Sequence, residues 1–380
     1  MLSGLTILDL SRLMPGPFCT MLLADLGARV IVIESPSEAT DVTATAFPSL
    51  QRGKERMVLN LKSVAGREVF FRLLHLADAV VEGFRPGTMA RLGIDYAAAV
   101  RVKPSIVYAS ITSYGQDGPN AHLGGHDVNF LARSGILDLM VPEDADPTIP
   151  AVQFADTSGA MMAAISLMAA VRHAERTGEG RHLDISMADT VLSLAVTSLT
   201  FRQNGWPYEA GQSLVGGGLA CYGAYRTKDG RLLGVGALEA HFFRNLCTAL
   251  ALEELIPHQY SGPKQPELRA KLESVFYQRT YDQWVEFFAN HDACVTGALR
   301  FHEALADPEL LRRGALRTAT DAGGHGRQVL GAPVPYPTER PEGGTIAKRG
   351  QQTVQLLKEV GYSATEIDTL AADEVVAATR

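Results

Sequence analysis

The chain has no basic charge to spare. It carries 35 lysines and arginines against 42 aspartates and glutamates, a formal net charge of -7 with a pI near 5.8. General binders of nucleic acid or anionic membranes need basic excess, so neither partner is expected, and an anionic ligand must meet a local basic patch. Cysteine is scarce as well. Cys19, Cys221, Cys247 and Cys294 are widely spaced and form no CxxC or Cys/His cluster of metal-ligand spacing, so no metal site is expected. Reduced thiols in a cytoplasmic protein fit that usage. Long apolar runs are missing: the longest, Gly159 to Val171, is too short to span a bilayer. Met1-Leu2-Ser3-Gly4 leads straight into a strand-like segment, so no signal peptide is expected. With 46% hydrophobic and 20% charged residues, the composition is that of a globular protein rather than a disordered one.

What is present is an alternation of short β-branched runs with helical patterns. At 380 residues, two domains, or one large domain with an excursion, are expected. Leu5 to Leu10 reads as a strand, Pro17 to Leu26 as a helix closed by Gly27, and Ala28 to Glu34 as a second strand. Ser63 caps a helix running to about His75, and Ala77 to Glu82 and Ser105 to Ile111 are further strands. Near-continuous apolar strands between helices imply a parallel sheet covered on both faces, so the fold class is α/β with a Rossmann-like large domain. Beyond Asp156 come two helical patterns, Ser158 to Arg172 and Ser186 to about Arg202, separated by the turn Arg176 to Gly180 and a strand, His182 to Ile185. A glycine-rich texture with a hairpin, Tyr222 to Val235 around Lys228-Asp229-Gly230, marks a smaller α+β domain. The tail has a proline-rich stretch, Pro333 to Pro341, then helix-like segments at Val354 to Val360 and Glu366 to Thr379. The expected division is 1–205, 206–325 and a C-terminal segment 326–380 that returns to the large domain.

Five places invite chemistry, each with a plainer alternative. After strand one, Ser11-Arg12-Leu13-Met14-Pro15-Gly16-Pro17 has one glycine where a dinucleotide fingerprint wants three, and its prolines are better read as starting a helix. Phe84-Arg85-Pro86-Gly87 sits beyond a strand's carboxyl end, where open sheets bind ligands. With Arg91, Lys62, Arg52 and Lys54 nearby in sequence it offers cations for phosphates, or a solvated loop. In Gly124-Gly125-His126-Asp127, His126 is a candidate acid or base, or else a loop residue beside Asp127 as an N-cap. Asp156 precedes an apolar helix and is either its cap or a nucleophile or base beside free helix-start amides that hold an oxyanion. Glu239, His241 and the triplet Gly216-Gly217-Gly218 read most simply as surface and turn residues.

The motifs together resemble the family III CoA-transferases, which include the 2-methylacyl-CoA racemases. The resemblance runs through Leu2-Ser3-Gly4-Leu5, Asp25-Leu26-Gly27-Ala28, Asn60-Leu61-Lys62-Ser63, Glu82 to Gly87, Ser113 to Pro119, Arg176 to Gly180 and Leu356 to Tyr362, in order over nearly the whole chain. It implies a Rossmann-type large domain completed by the chain's end, a small domain, and a homodimer of two interlocked subunits. It also implies an acyl-CoA substrate, with coenzyme A part of that substrate and no separate cofactor. Matching positions make Asp156 the catalytic aspartate, His126 the second base of the racemases and Glu239 the support of that histidine. Coenzyme A contacts are expected from Leu13, Lys62, Gly83, Phe84, Arg85, Arg91 and Asp127. Asp292 to Thr296 also has the racemase pattern, whereas Gly297 stands where a proline is common and Glu34-Ser35 lacks a basic residue that some relatives carry.

Two activities follow as expectations. In the first, His126 and Asp156 move the α-proton of a 2-methylacyl-CoA from one face to the other. In the second, Asp156 is a covalent nucleophile that passes coenzyme A between carboxylic acids, shielded by Gly216 to Gly218. A third, a nucleotide-binding module without acyl chemistry, rests on the βαβ pattern alone and is undercut by the missing glycine fingerprint.

Overall fold

The β-branched runs pair as a parallel sheet. The computed structural model describes residues 1–36, 47–143, 145–331 and 344–377. The proline-rich reading at Pro333 to Pro341 therefore lies outside the described residues. The chain divides into two compact units, a larger one of Met1–Ser134, Pro150–Leu192 and Pro308–Arg380, and a smaller one of Gly135–Ile149 and Ser193–Asp307. The lines drawn from sequence, at 205 and 325, sit later than these crossings at 192 and 307.

In the larger unit, strands β1 (Thr6–Asp9), β2 (Arg29–Glu34), β3 (Glu55–Leu59), β4 (Ala79–Glu82), β5 (Val107–Thr112) and β6 (His182–Ser186) line up as β3-β2-β1-β4-β5-β6, all parallel. That is the doubly wound order, with its reversal between β1 and β4. Helix α1 (Pro15–Asp25) follows β1 and has proline in its first turn, where a missing N–H costs nothing. Helix α2 (Val64–Leu76) starts at Ser63, whose hydroxyl accepts the Gly66 amide at 2.9 Å. Helix α3 (Asp127–Arg133) and helix α4 (Phe154–Thr177) complete the elements that matter for the site.

Helix α4 is longer at both ends than the apolar run that signals it, and by length and composition it is long enough to cross a membrane. Its stripe of Gly159, Ala160, Ala163, Ala164 and Leu167 is buried, the spacing of one helix face packed on a core. The following pattern, expected as one helix to Arg202, breaks into Met187–Leu192, a 3-10 turn at Ser193–Ala195 and Val196–Gln203.

The chain's end returns to the same unit. Leu356, Leu357, Ile367, Leu370 and Val376 are buried in one cluster with Leu8, Ile31, Met57, Phe70 and Val80. The last helix is Ala364–Ala372, ending short of the sequence reading. It is followed by a two-residue strand, Val376–Ala377, that pairs antiparallel with β3 through Val376↔Leu59. Sequence reading also missed β3 and a three-stranded sheet of Leu316–Asp321, Gly326–Leu330 and Thr345–Ile346.

The smaller unit has its own three-stranded antiparallel sheet, Tyr222–Arg226, Leu232–Gly236 and Val295–Gly297, the first two being the expected hairpin. Trp284, Phe276, Phe243 and Tyr225 form its aromatic core, and the Trp284 indole donates to the Phe276 carbonyl at 2.8 Å. Gly297 has a packing reason. A Cβ there would lie 2.7 Å from the Tyr281 hydroxyl and from Val285, so a larger residue at this position requires those side chains to move.

Candidate active site

The two strands at the order reversal each end in a carboxylate that folds back on its own chain. Asp9 accepts the amide of Ser11 at 3.0 Å, and Glu82 accepts the amide of Phe84 at 2.7 Å. These contacts shape both lips of the crevice where open parallel sheets take ligands. Across it, Ser11 Cβ lies 3.8 Å from the point a Cβ on Gly83 would occupy, and the Arg12 guanidinium stands 4.9 Å over the Phe84 ring. Leu13 is exposed and holds φ 62, a left-handed conformation rare for leucine. Burial raises the Glu82 carboxyl's pKa, against hydrogen bonds from Ser110 and Phe84 that lower it. Ser110 Oγ is also 3.0 Å from His182 Nε2, and these groups with Arg85, Tyr96 and Gln116 line a cavity of about 240 Å³.

The exposed Arg85 links this crevice to the histidine turn. Its guanidinium is so close to Gly124 that a Cβ there would sit 2.8 Å from Nη2. Ser11, Arg12, Gly83 and Phe84 thus meet at one crevice, Leu13 follows in the same loop, and Arg85 reaches from it to the turn bearing His126. Arg91, on the short helix Thr88–Leu92, bonds the Thr88 hydroxyl at 2.9 Å, and Lys62 is exposed in the turn after β3. Arg52 and Lys54 are not surface cations for phosphate. Arg52 is buried against Asp25 at 2.5 Å, and Lys54 is fully buried against Asp9 at 3.2 Å.

His126 is exposed and is the N-cap of α3, its amide donating to Asn129 Oδ1 at 3.0 Å. The sequence reading gave the cap to Asp127. Asp127 is instead the first residue of α3, buried, with its carboxylate aimed at the next helix: Oδ1 accepts the amide of Ala155 at 2.7 Å and that of Asp156 at 3.1 Å. The first amides of α4 have no intrahelical partner, and its own cap residue, Gln153, supplies no side-chain bond. Asp127 takes over the capping from a distant point in sequence.

Asp156 therefore lies in the first turn of α4 rather than at its cap, and it is half-buried. Its carboxyl is pushed up to about 6, first by burial and then by the negative charge of Asp127, with His126 pulling the other way. Because His126 immediately precedes Asp127, the bond from the Asp156 amide to Asp127 brings the histidine turn beside the start of α4. The expectation that free amides at the helix start hold an oxyanion changes, because Asp127 already occupies those of Ala155 and Asp156.

Glu239 belongs to the smaller unit, where it is exposed and opens the helix Ala240–Ala249 without a side-chain capping bond. His241 lies on that helix's surface, its ring against Phe242. In the glycine triplet, the Gly217 carbonyl accepts from the Arg269 guanidinium. Among the described residues, no group of three His, Cys, Asp or Glu side chains is placed to hold a metal ion. Sequence reading missed that Asp9 and Glu82 shape the two lips of the crevice by folding back on their own chain. Their signal was a lone charged residue closing each apolar strand.

Comparison with known proteins matches residues 2–344 to the model described as CoA-transferase family III. The chain is 34% identical over 381 residues to the alpha-methylacyl-CoA racemase of Homo sapiens, covering 99% of this chain and 97% of that one. It is 29% identical over 373 residues to the acetyl-CoA:oxalate CoA-transferase of Acetobacter aceti, covering 91% and 93% respectively. Among solved structures, a CAIB/BAIF family protein from Brucella suis superposes with a TM-score of 0.80 at 25% identity, covering 94% of this chain and 99% of that one.

Proposed function

The chain belongs to CoA-transferase family III, and from that premise we propose that it epimerises the α-carbon of a 2-methylacyl-CoA by proton transfer between His126 and Asp156. The observation that carries this reading is the Asp127 carboxylate, which accepts the Asp156 amide at 3.1 Å from the residue next to His126, while burial and the Asp127 charge push the Asp156 carboxyl up to about 6. A general base works best when its pKa lies near the working pH, and the shift moves this carboxyl toward neutrality.

One group takes the α-proton, leaving the electron pair delocalised into the thioester as an enolate. The other group delivers a proton to the opposite face, and the bases are reset by exchange with water. Asp127 fixes their geometry by joining the histidine turn to the Asp156 amide. The enolate oxygen draws on donors other than the Ala155 and Asp156 amides, which Asp127 holds. Arg85, Arg91 and Lys62 supply exposed positive charge for the phosphates of coenzyme A in an otherwise acidic protein. Proton transfer of this kind calls for no resident cofactor. The test is a single-enantiomer 2-methylacyl-CoA in heavy water: deuterium enters the α-position and optical purity is lost together, and absence of both refutes the proposal.

A second reading, coenzyme A transfer between carboxylic acids, draws support from the partial exposure of Asp156 and from relatives named as CoA-transferases. There the carboxylate attacks the thioester and displaces coenzyme A as the thiolate, forming an anhydride. Hydroxylamine trapping during turnover with paired donors and acceptors labels Asp156 in that case, and its failure across a donor panel removes the reading. We also infer a homodimer in the cytoplasm. Met161, Met162 and Ile165 are exposed together on α4, an apolar face suited to a second copy. The four thiols are all unpaired, as a reducing compartment would keep them. Light scattering in solution checks the stoichiometry.

A further inference from the structure

The turn between β1 and α1 is held by more directional bonds than a chain reversal requires. Asp9, buried at the end of β1, receives the amide and hydroxyl of Ser11 on Oδ1, and the Thr20 hydroxyl and the Lys54 ammonium on Oδ2. Lys54 spends its other two protons on the Pro17 carbonyl at 2.9 Å and on Thr20 Oγ1 at 2.6 Å, both in the first half of α1. The pair therefore fastens the end of β1 to the start of α1. Gly16 completes the closure, since a Cβ there would fall 2.1 Å from Ser11 Cβ and Oγ.

Between these fixed points lies Leu13, exposed and left-handed. Backbone conformations of this kind persist only where the surroundings over-determine them, and they concentrate at functional sites. A buried ion pair contributes little net stability relative to apolar residues of the same size, whereas its directional bonds fix geometry. The location also matters: this turn forms one lip of the β1/β4 crevice, facing Gly83 and Phe84.

We propose that Asp9 and Lys54 are positioning residues for the acyl-CoA site, holding Leu13 left-handed at the crevice so that the pair governs substrate binding through Leu13 without touching substrate. This rests on the acyl-CoA reading above. The test uses full-length protein, with calorimetric titration of free coenzyme A and steady-state α-proton exchange on a 2-methylacyl-CoA. The double variant Asp9→Leu/Lys54→Met removes both charges and leaves neither orphaned. It is expected to raise KM and the coenzyme A Kd by about tenfold or more, with kcat within about threefold, because misplaced binding groups cost affinity before chemistry.

The discriminating step is Leu13→Gly. In the native background it raises KM by removing the leucine side chain. In the double-variant background it lowers KM again by at least about threefold, because glycine enters the left-handed region unaided. Simple multiplication of the two effects overturns the proposal, as does an unchanged KM in a folded double variant. If the double variant does not fold, Thr20→Val removes only the bridging hydroxyl; a KM raised by about threefold supports the proposal and an unchanged KM overturns it. Native protein that binds no coenzyme A refutes the acyl-CoA reading and this proposal with it. Native protein that binds coenzyme A while the variants bind equally well refutes this proposal alone.

Discussion

Asp127 joins its carboxylate to the backbone amide of Asp156 at 3.1 Å, so the segment that carries the candidate histidine and the helix that carries the candidate aspartate share one joint. The same oxygen holds Ala155 at 2.7 Å. The joint acts on Asp156 twice, by placing its backbone and by setting its charge, and the two effects separate experimentally.

Asp127→Asn keeps an acceptor oxygen for both amides but removes the negative charge that helps raise Asp156. The pH profile of kcat/KM for α-proton exchange is expected to rise with an apparent pKa near 6 in the native enzyme. In Asp127→Asn the rise moves to lower pH, because loss of a like charge favours the ionised carboxyl. A profile that stays in place counters the electrostatic role.

Asp156→Asn is expected to abolish exchange and yet to stabilise the fold at neutral pH. The folded pKa of Asp156, about 6, lies above its ordinary value of 3.8, so folding favours the protonated form. The resulting penalty is absent below the unfolded value, grows as pH rises between the two, and is complete above about 6. Melting temperatures of native and variant protein should therefore coincide near pH 4 and diverge, with the variant higher, by pH 8.

His126→Ala tests the division of labour between the two bases. With one base gone, deuterium wash-in from one enantiomer is expected to fall by roughly a hundredfold or more, the usual worth of a positioned general base. The other enantiomer keeps exchange without inversion. Equal loss from both enantiomers argues against two opposed groups.

Gly124→Ala places a methyl 2.8 Å from the Arg85 guanidinium, whose flexible end has to move. We expect KM for the acyl-CoA to rise up to roughly tenfold, about 1.4 kcal/mol, the scale of one charge-assisted contact. Arg85→Ala should do the same. The double variant should be no worse than Arg85→Ala alone, and additivity would mean that the two residues act separately.

For the scaffold, Leu356→Ala is expected to cost about 2–5 kcal/mol in denaturant unfolding, since the side chain is fully buried in the sheet's core. Val64→Ala, at an exposed first-turn position, should stay within about 0.5 kcal/mol.

Local rules carried the sequence reading where local chemistry decides the structure. The Ser63 cap, the prolines opening α1 and the hairpin around Asp229 all appear as expected. Strand β3 escaped because Glu55-Arg56-Met57-Val58-Leu59 begins with charges. Those charges pair with Arg29 and Glu34 on the neighbouring strand, partners that only the folded sheet provides. Lys54 escaped for the same reason, its buried partner Asp9 lying 45 residues earlier. His126 and Asp156 stood out as residue types, but no pattern in either segment announced that Asp127 would cap the other's helix.

The antiparallel return of Val376 to Leu59 has a consequence for biosynthesis. The β3 edge and the cluster beneath it lack Leu356, Leu357, Ile367 and Leu370 until the chain has been made to its last helix. Residues Ser193–Asp307, by contrast, form most of the smaller unit and leave the ribosome earlier. The excursion is therefore positioned to fold while the larger unit still waits with an open sheet edge, the stage at which a nascent chain is most exposed to wrong partners and most dependent on chaperones.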